Sequence, residues 1–174
     1  MKALAAFVSI AAMGAVCSAP AVAQQTREQA IHGMRQVKPS EMDVTYHAPA
    51  PFAQKLVDEA LRKHPEVLLL AIHAQPQGHP NVIVASNFGR IGKIGDEDDM
   101  RCIRTGKPNL EVNGPHFEDE LVLKDATGKT IGAIGVVFNY GAGIDKTELI
   151  RIAEEIGREM QQQLPSAATL FEPA

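Results

Sequence analysis

The sequence predicts an α+β domain built on a five-stranded antiparallel sheet of order 2-1-5-4-3, with helices at its N-terminal and C-terminal ends. Three observations predict it. Residues 67–74 and 130–139 are apolar at odd and even positions alike, as in strands covered on both faces, so they belong at the centre of the sheet. Residues 82–87, 109–113 and 117–124 are short or alternate, which suits its flanks. Stripes of apolar residues at helical spacing occupy 52–61 and 149–160.

Each element has a local reason. Ile31, Met34 and Val37 recur every three residues, predicting a short helix within 26–37, and the prolines between Pro39 and Pro51 make the following stretch an irregular connector. Phe52, Leu56, Val57, Ala60 and Leu61 define the next helix, which Pro65 stops. The first two strands, 66–74 and 81–87, flank a loop holding Pro76, Gly78 and Pro80 and are expected to pair antiparallel. Asp96 to Asp99 supply N-terminal acidity for a helix at 97–105, ended by Gly106 and Pro108. In 117–124 the residues Phe117, Leu121 and Leu123 point one way and Glu118, Glu120 and Lys124 the other, so water is expected on one face of that strand. Asp125 to Lys129 is a hairpin signal, and Gly132 and Gly135 fall on opposite faces of the long strand that follows. Asp145 is the expected N-cap of the last helix, with Glu148 as its box partner, and Pro165 the expected end of the ordered chain.

Composition narrows the function classes. The 174 residues are 22% charged and 45% hydrophobic, with a formal charge of −4, which excludes collagenous, disordered and disulfide-stapled chains. Scattered basic residues and a sequence pI near 5.9 argue against nucleic acid as a partner. Met1-Lys2, the apolar run Ala3 to Val16 and the Ala21-Val22-Ala23 triplet read as a signal peptide cleaved after Ala23. Its removal leaves 151 residues, takes one positive charge and so gives −5, and keeps Cys102 as the one cysteine. The run is too short for a membrane span, an internal disulfide is impossible after cleavage, and the expected location is the periplasm.

Three stretches carry a family resemblance: VIVASNFGRIGK at 82–93, RTGKPNLEVN at 104–113 and LVLKDATGKTIGAIGVVF at 121–138. In this order they resemble the single Cache domains, PAS-like extracytoplasmic sensor modules, over about residues 52–163. The resemblance implies a long N-terminal helix on one sheet face, a small-molecule pocket on the other, and a sensory or ligand-binding role outside the cytoplasmic membrane. With the signal peptide at 1–23 the chain is expected to divide further into a helix and connector at 24–51, the Cache-like domain at 52–164 and a tail at 165–174. The usual transmembrane helices and signalling module of such receptors are not found in this sequence.

Within that frame His73, Ser86, Asn87, Arg101, Arg104 and Tyr140 are the candidate ligand-binding residues, because strand ends and the short helix should gather round one sheet face. An arginine fork suits a carboxylate, which makes a carboxylate or amino acid the expected ligand class. Strand parity separates Ser86 from Asn87. Metal binding by His73 with His79 matches no standard site, and His116 with Glu118 and Glu120 could hold a metal on a strand face but fit the solvated face of an alternating strand equally well; no cofactor is assigned. The acidic run at 96–99 repels phosphate and lacks the spacing of a calcium loop, so it reads as a capped, solvated helix end. Cys102 stands beside Arg101 and Arg104, which could lower a thiol pKa, against the commoner reading of a buried structural cysteine. No nucleophile, base and orienting acid form a set, and the expectation is a binding protein, not an enzyme. The alternatives are an adaptor that docks on a membrane sensor and a metal- or haem-linked protein.

Overall fold

The computed structural model describes residues 24–174; the expected signal segment, with Cys17, lies outside the described residues. Four helices and five strands follow one another as α1 (Arg27–His32), α2 (Pro51–Lys63), β1 (Val67–Ala74), β2 (Val82–Ser86), α3 (Glu97–Thr105), β3 (Asn109–Asn113), β4 (His116–Lys124), β5 (Thr130–Asn139) and α4 (Lys146–Gln162). All strand pairings are antiparallel, and the order across the sheet is β2-β1-β5-β4-β3. This is the topology the burial pattern of the sequence predicts. Among the described residues no helix is long and apolar enough to cross a membrane.

The two faces of the sheet have different coverings. On one face α2 and α4 bury a continuous core that includes Leu70, Ile72, Val84, Phe117, Ile134, Val136 and Phe138. Pro51 fits the first turn of α2, where its missing N–H costs nothing, and Leu56, Val57, Ala60 and Leu61 face the sheet. In α4 all five stripe residues, Leu149, Ile152, Ala153, Ile156 and Met160, are buried. Asp145 caps it by accepting from the Thr147 amide. Glu148 completes no box, because Arg151 holds its carboxylate in a two-point pair.

The chain does not lose order at Pro165. Leu164 and Leu170 are fully buried in the main core, and a 3-10 turn at Ala167–Phe171 packs against α2. Proline stops the helix, but two leucines on either side of it have apolar surface to hide, roughly 1.5–3 kcal/mol each.

The other face carries α1, α3 and the loop 87–95. Ala30 of α1 packs on Leu68 and Leu69. Arg27 ties this small helix down by donating to the carbonyls of Leu61, His64 and Val67, which also satisfies the open C-terminus of α2. The long N-terminal helix that the resemblance implies is here the 13-residue α2, on the core face, preceded by the six-residue α1 on the other.

Two glycines set the close approaches. A Cβ on Gly132 would stand 2.1 Å from the His73 carbonyl oxygen, so β1 and β5 can meet there only without a side chain. Gly92 has φ of +88° and space for no Cβ, since Tyr46 and Asp43 carbonyls cover it; its own carbonyl accepts from the Asp43 amide. That contact fastens loop 87–95 to the connector. β2 has one extra residue opposite the Ile72–His73 step, so Val84 and Ala85 both join the core while Ile83 faces the other side.

Candidate functional site

A cavity of about 540 Å³ lies between the sheet and the α1/α3 layer. Its floor is the second face of the sheet: Leu69, Ala71 and His73 from β1, Ile83 from β2, Gly135 and Val137 from β5, and Glu118 and Glu120 from β4. Met34 and Arg35 close one side, Phe88, Arg90 and Lys93 come from the loop, and Asp96 and Asp99 from the start of α3. Gly135 leaves room: a Cβ there would meet only Glu118 Oε1, at 3.7 Å.

The β4 carboxylates are the main correction to the sequence reading. Glu118 and Glu120 do point away from the face of Phe117, Asp119 and Leu123, but α3 and the loop cover their own face, and Glu120 is only 8% exposed. Burial, with Glu111 and Asp99 adding repulsion, pushes the Glu118 carboxyl up to about 7. Burial and the adjacent Asp99 raise Glu120 well above the usual carboxylate range. Water was expected on this face; a polar cavity occupies it.

The acidic run divides in the same way. Asp96 caps α3, accepting from the amides of Asp98 and Asp99, and the Asp99 carboxylate accepts in return from the Asp96 amide. Three residues on is Cys102, on the same inward face; Asp99 is 2% and Cys102 1% exposed. Burial opposes ionisation of Asp96, but the Lys93 ammonium at 3.1 Å and the helix amides hold its carboxyl below the ordinary value. His73 Nδ1 faces Asp99 Oδ2 at 3.3 Å, and burial lowers the imidazole pKa. Burial thus favours the neutral imidazole, against the pull of Asp99 toward the charged form.

Of the six candidates named from sequence, His73 lines the cavity. Ser86 donates to the Gly89 carbonyl, and its amide donates to Gln54 of α2. The Asn87 side chain brackets β1, accepting from the Leu70 amide and donating to the Leu68 carbonyl. Arg101 pairs with Asp98 and donates to Asn109, and Arg104 pairs with Glu97, all on the outer side of α3. Tyr140 packs against Phe117 on the core face, ring centroids 5.9 Å apart. The cations that do reach the cavity, Arg35, Arg90 and Lys93, come from the connector and loop. Arg90 holds φ of +61°, unusual for a residue with a side chain, and donates to the Arg35 carbonyl.

The metal pairs weighed from sequence do not assemble as read. His79 turns to Asp43, 2.8 Å away, and to the Tyr46 ring, while His73 faces the cavity. His116 reaches the cavity rim with Glu118 and Glu120 but shares a hydrogen bond with Gln25. The thiol of Cys102 is not activated: burial, then Glu120, Asp119 and Asp99, push it up to about 12, and it donates to the Glu120 carbonyl.

No protein-family model matches the chain, and no curated protein matches it. Solved structures do. A protein from Burkholderia vietnamiensis described as a GAF sensor aligns over 67% of this chain and 77% of its own, at 16% identity and a TM-score of 0.49. The inducer-binding domain of the PobR transcription factor from Acinetobacter, in complex with 3-hydroxybenzoic acid, aligns over 66% and 95%, at 12% identity and 0.44. A type II free methionine-R-sulfoxide reductase from Thermoplasma acidophilum aligns over 70% and 93%, at 14% identity and 0.47. The expectation that the chain is not an enzyme does not stand: methionine sulfoxide reductases are among the structures it is similar to, and the lack of a legible catalytic set in the sequence excludes no enzyme.

Proposed function

We propose that this chain is a small-molecule-binding domain of the sensor type, of the Cache branch of PAS-like domains, whose ligand occupies the cavity between the sheet and the α1/α3 layer. The observation that carries this reading is the cavity itself: an apolar frame of Leu69, Ala71, Ile83, Phe88 and Val137 enclosing a few directed charges. Its charges are divided. Arg35 and Arg90 belong to the side closed by the connector and the loop, Asp96 and Asp99 to the α3 side, with Glu118 and Glu120 on the floor. Glu41 already holds the Arg35 guanidinium in a two-point pair, so a small polar compound with an anionic group suits Arg90, and an apolar body suits the floor.

A thermal-shift screen of carboxylates, amino acids and purines tests the reading. At least one should stabilise the protein, by about 2.7 kcal/mol at a hundredfold excess over its Kd. Gly135→Leu, which places a side chain into the cavity from its floor, should abolish that shift while the protein stays folded. A screen without stabilisers, or a shift that survives in Gly135→Leu, would sink the proposal.

Export belongs to the same proposal, supported by Met1-Lys2, the apolar run to Val16 and Ala21-Val22-Ala23. Sequencing the mature protein from fractionated cells should give Gln24 first, in the periplasmic fraction; an unprocessed cytoplasmic chain would contradict it. A second reading, a domain that docks on a membrane sensor, is favoured by one feature: Leu110 and Val112 are exposed on β3, a sheet edge with a free side. Charged substitutions at these two positions should then release the partner without touching ligand stabilisation.

A further inference from the structure

Three cations line the cavity, and their partners differ. Lys93 Nζ lies 3.1 Å from Asp96 Oδ2. Arg35 is held by Glu41, whose two carboxylate oxygens each accept from the guanidinium at 2.9 Å. Glu41 is itself fixed, since its side chain also accepts from the Lys38 amide and its carbonyl from the Ile94 amide of the loop. Arg90 is the exception. It donates to the Arg35 carbonyl and lies over the Phe88 ring, 5.9 Å from its centre, and among the described residues it pairs with no carboxylate. Its φ of +61° is a conformation that residues with a side chain rarely adopt, and the Lys93 amide closes the turn by donating to the Arg90 carbonyl. The loop thus holds a guanidinium at the cavity wall against local backbone preference.

We propose that the cavity selects ligands with a single carboxylate, with Arg90 as the receptor of that group and Glu41 as the residue that sets the selectivity. The inference deepens the ligand-binding reading and rests on it. A guanidinium with most of its donors free suits one carboxylate. A second anionic group finds no place in either direction. Toward the connector, the other guanidinium already has a two-point partner; toward α3, Asp99, Glu118 and Glu120 line the wall and floor and repel it. Dicarboxylates and phosphate monoesters are therefore rejected by charge. Glu41 needs no contact with the ligand for this. It is a positioning residue that acts through Arg35, and loss of its charge releases a second guanidinium to the cavity wall.

Matched pairs titrated calorimetrically into the purified protein test this: butyrate against succinate, hexanoate against adipate, and glutamine against glutamate. In at least one pair the member with a single carboxylate should bind at least about tenfold tighter than the other. Glu41→Gln should narrow that ratio to within about threefold by strengthening the dicarboxylate, and adding Arg35→Gln, which removes both charges, should restore it. A merely structural role for Glu41 would weaken both members alike and would not be reversed by the second substitution. Arg90→Gln should abolish the preference for hexanoate over its uncharged amide. Should Glu41→Gln alone fail to fold, the double variant and Arg90→Gln still decide. Equal or tighter binding of the dicarboxylates, an unchanged ratio in folded Glu41→Gln, a ratio lost in the double variant, or a preference for the acid that survives Arg90→Gln would overturn the proposal and leave the ligand-binding reading standing. Failure of every compound to bind overturns both.

Discussion

The two faces of one sheet obey different rules in this protein. Facing α2 and α4, strand residues such as Leu70, Ile134 and Phe138 are 0–1% exposed and meet other apolar side chains on every side. Facing α1 and α3, residues only one position away, Ala71, Gly135 and Val137, border a cavity with charged groups on its floor and walls. The strands are the same; the coverings differ. Close packing on one face fixes the sheet, and the stability it supplies allows the other face to keep buried carboxylates with unmet hydrogen bonds.

Truncation should expose the difference most sharply. Phe138→Ala on the packed face is expected to cost about 3–5 kcal/mol in urea unfolding, against less than about 1 kcal/mol for Met34→Ala, whose side chain borders open cavity. Equal costs would break the contrast. Next in size is Gly132→Ala, which drives a Cβ into the His73 carbonyl and should cost about 1–3 kcal/mol, far more than Gly135→Ala on the opposite face.

The packed face has an exception, and the pH dependence of a variant separates it from the raised carboxyls of the cavity, Glu118 and Glu120. Asp119 is 0% exposed under α4, neither carboxylate oxygen has a partner, and burial raises it to about 7, with Glu154 adding to the effect and Lys146 opposing it. The unfolded chain releases this proton near 3.8, so between that pH and about 7 the folded state binds more protons. Stability should therefore fall as pH rises through this window. Asp119→Asn should reduce that slope and gain on the order of 1–2 kcal/mol at pH 8. An unchanged slope in denaturant titrations from pH 4 to 8 would contradict the assignment. The smallest effect belongs outside both faces: Arg101→Ala, on the exposed side of α3, should change stability by less than about 0.5 kcal/mol and leave ligand binding intact.

Much of the fold was legible because burial on two faces and burial on one leave different marks in sequence. The doubly apolar runs in β1 and β5 indicated the central strands, and the strand order followed. Helix α3 was readable to its ends, since Asp96 and Gly106 are local signals whose effect needs no tertiary partner. The site was much less legible. Alternation shows that Glu118 and Glu120 leave the core but does not separate bulk water from a cavity roofed by a segment some twenty residues away in the chain. In the acidic run, the spacing of Asp99 to Cys102 marks an inward face and could have distinguished Asp99 from its exposed neighbours Glu97 and Asp98. Arg101 and Arg104 share a helix face too, but it is the outer one. Arg90 and Lys93 depend on how loop 87–95 is fastened to the connector through Gly92, a contact between segments with no shared pattern.

The central claim is that the α1/α3 side of the sheet receives a small molecule while the α2/α4 side stays closed. Methyl chemical shifts followed by NMR during titration with carboxylates, amino acids and purines test it directly. The account predicts a compound that moves Ala71, Ile83 and Val137 and leaves Leu70, Ile134 and Val136 unmoved. Shifts centred on those core methyls or on Leu110 and Val112, or a library to which the cavity methyls never respond, would contradict it.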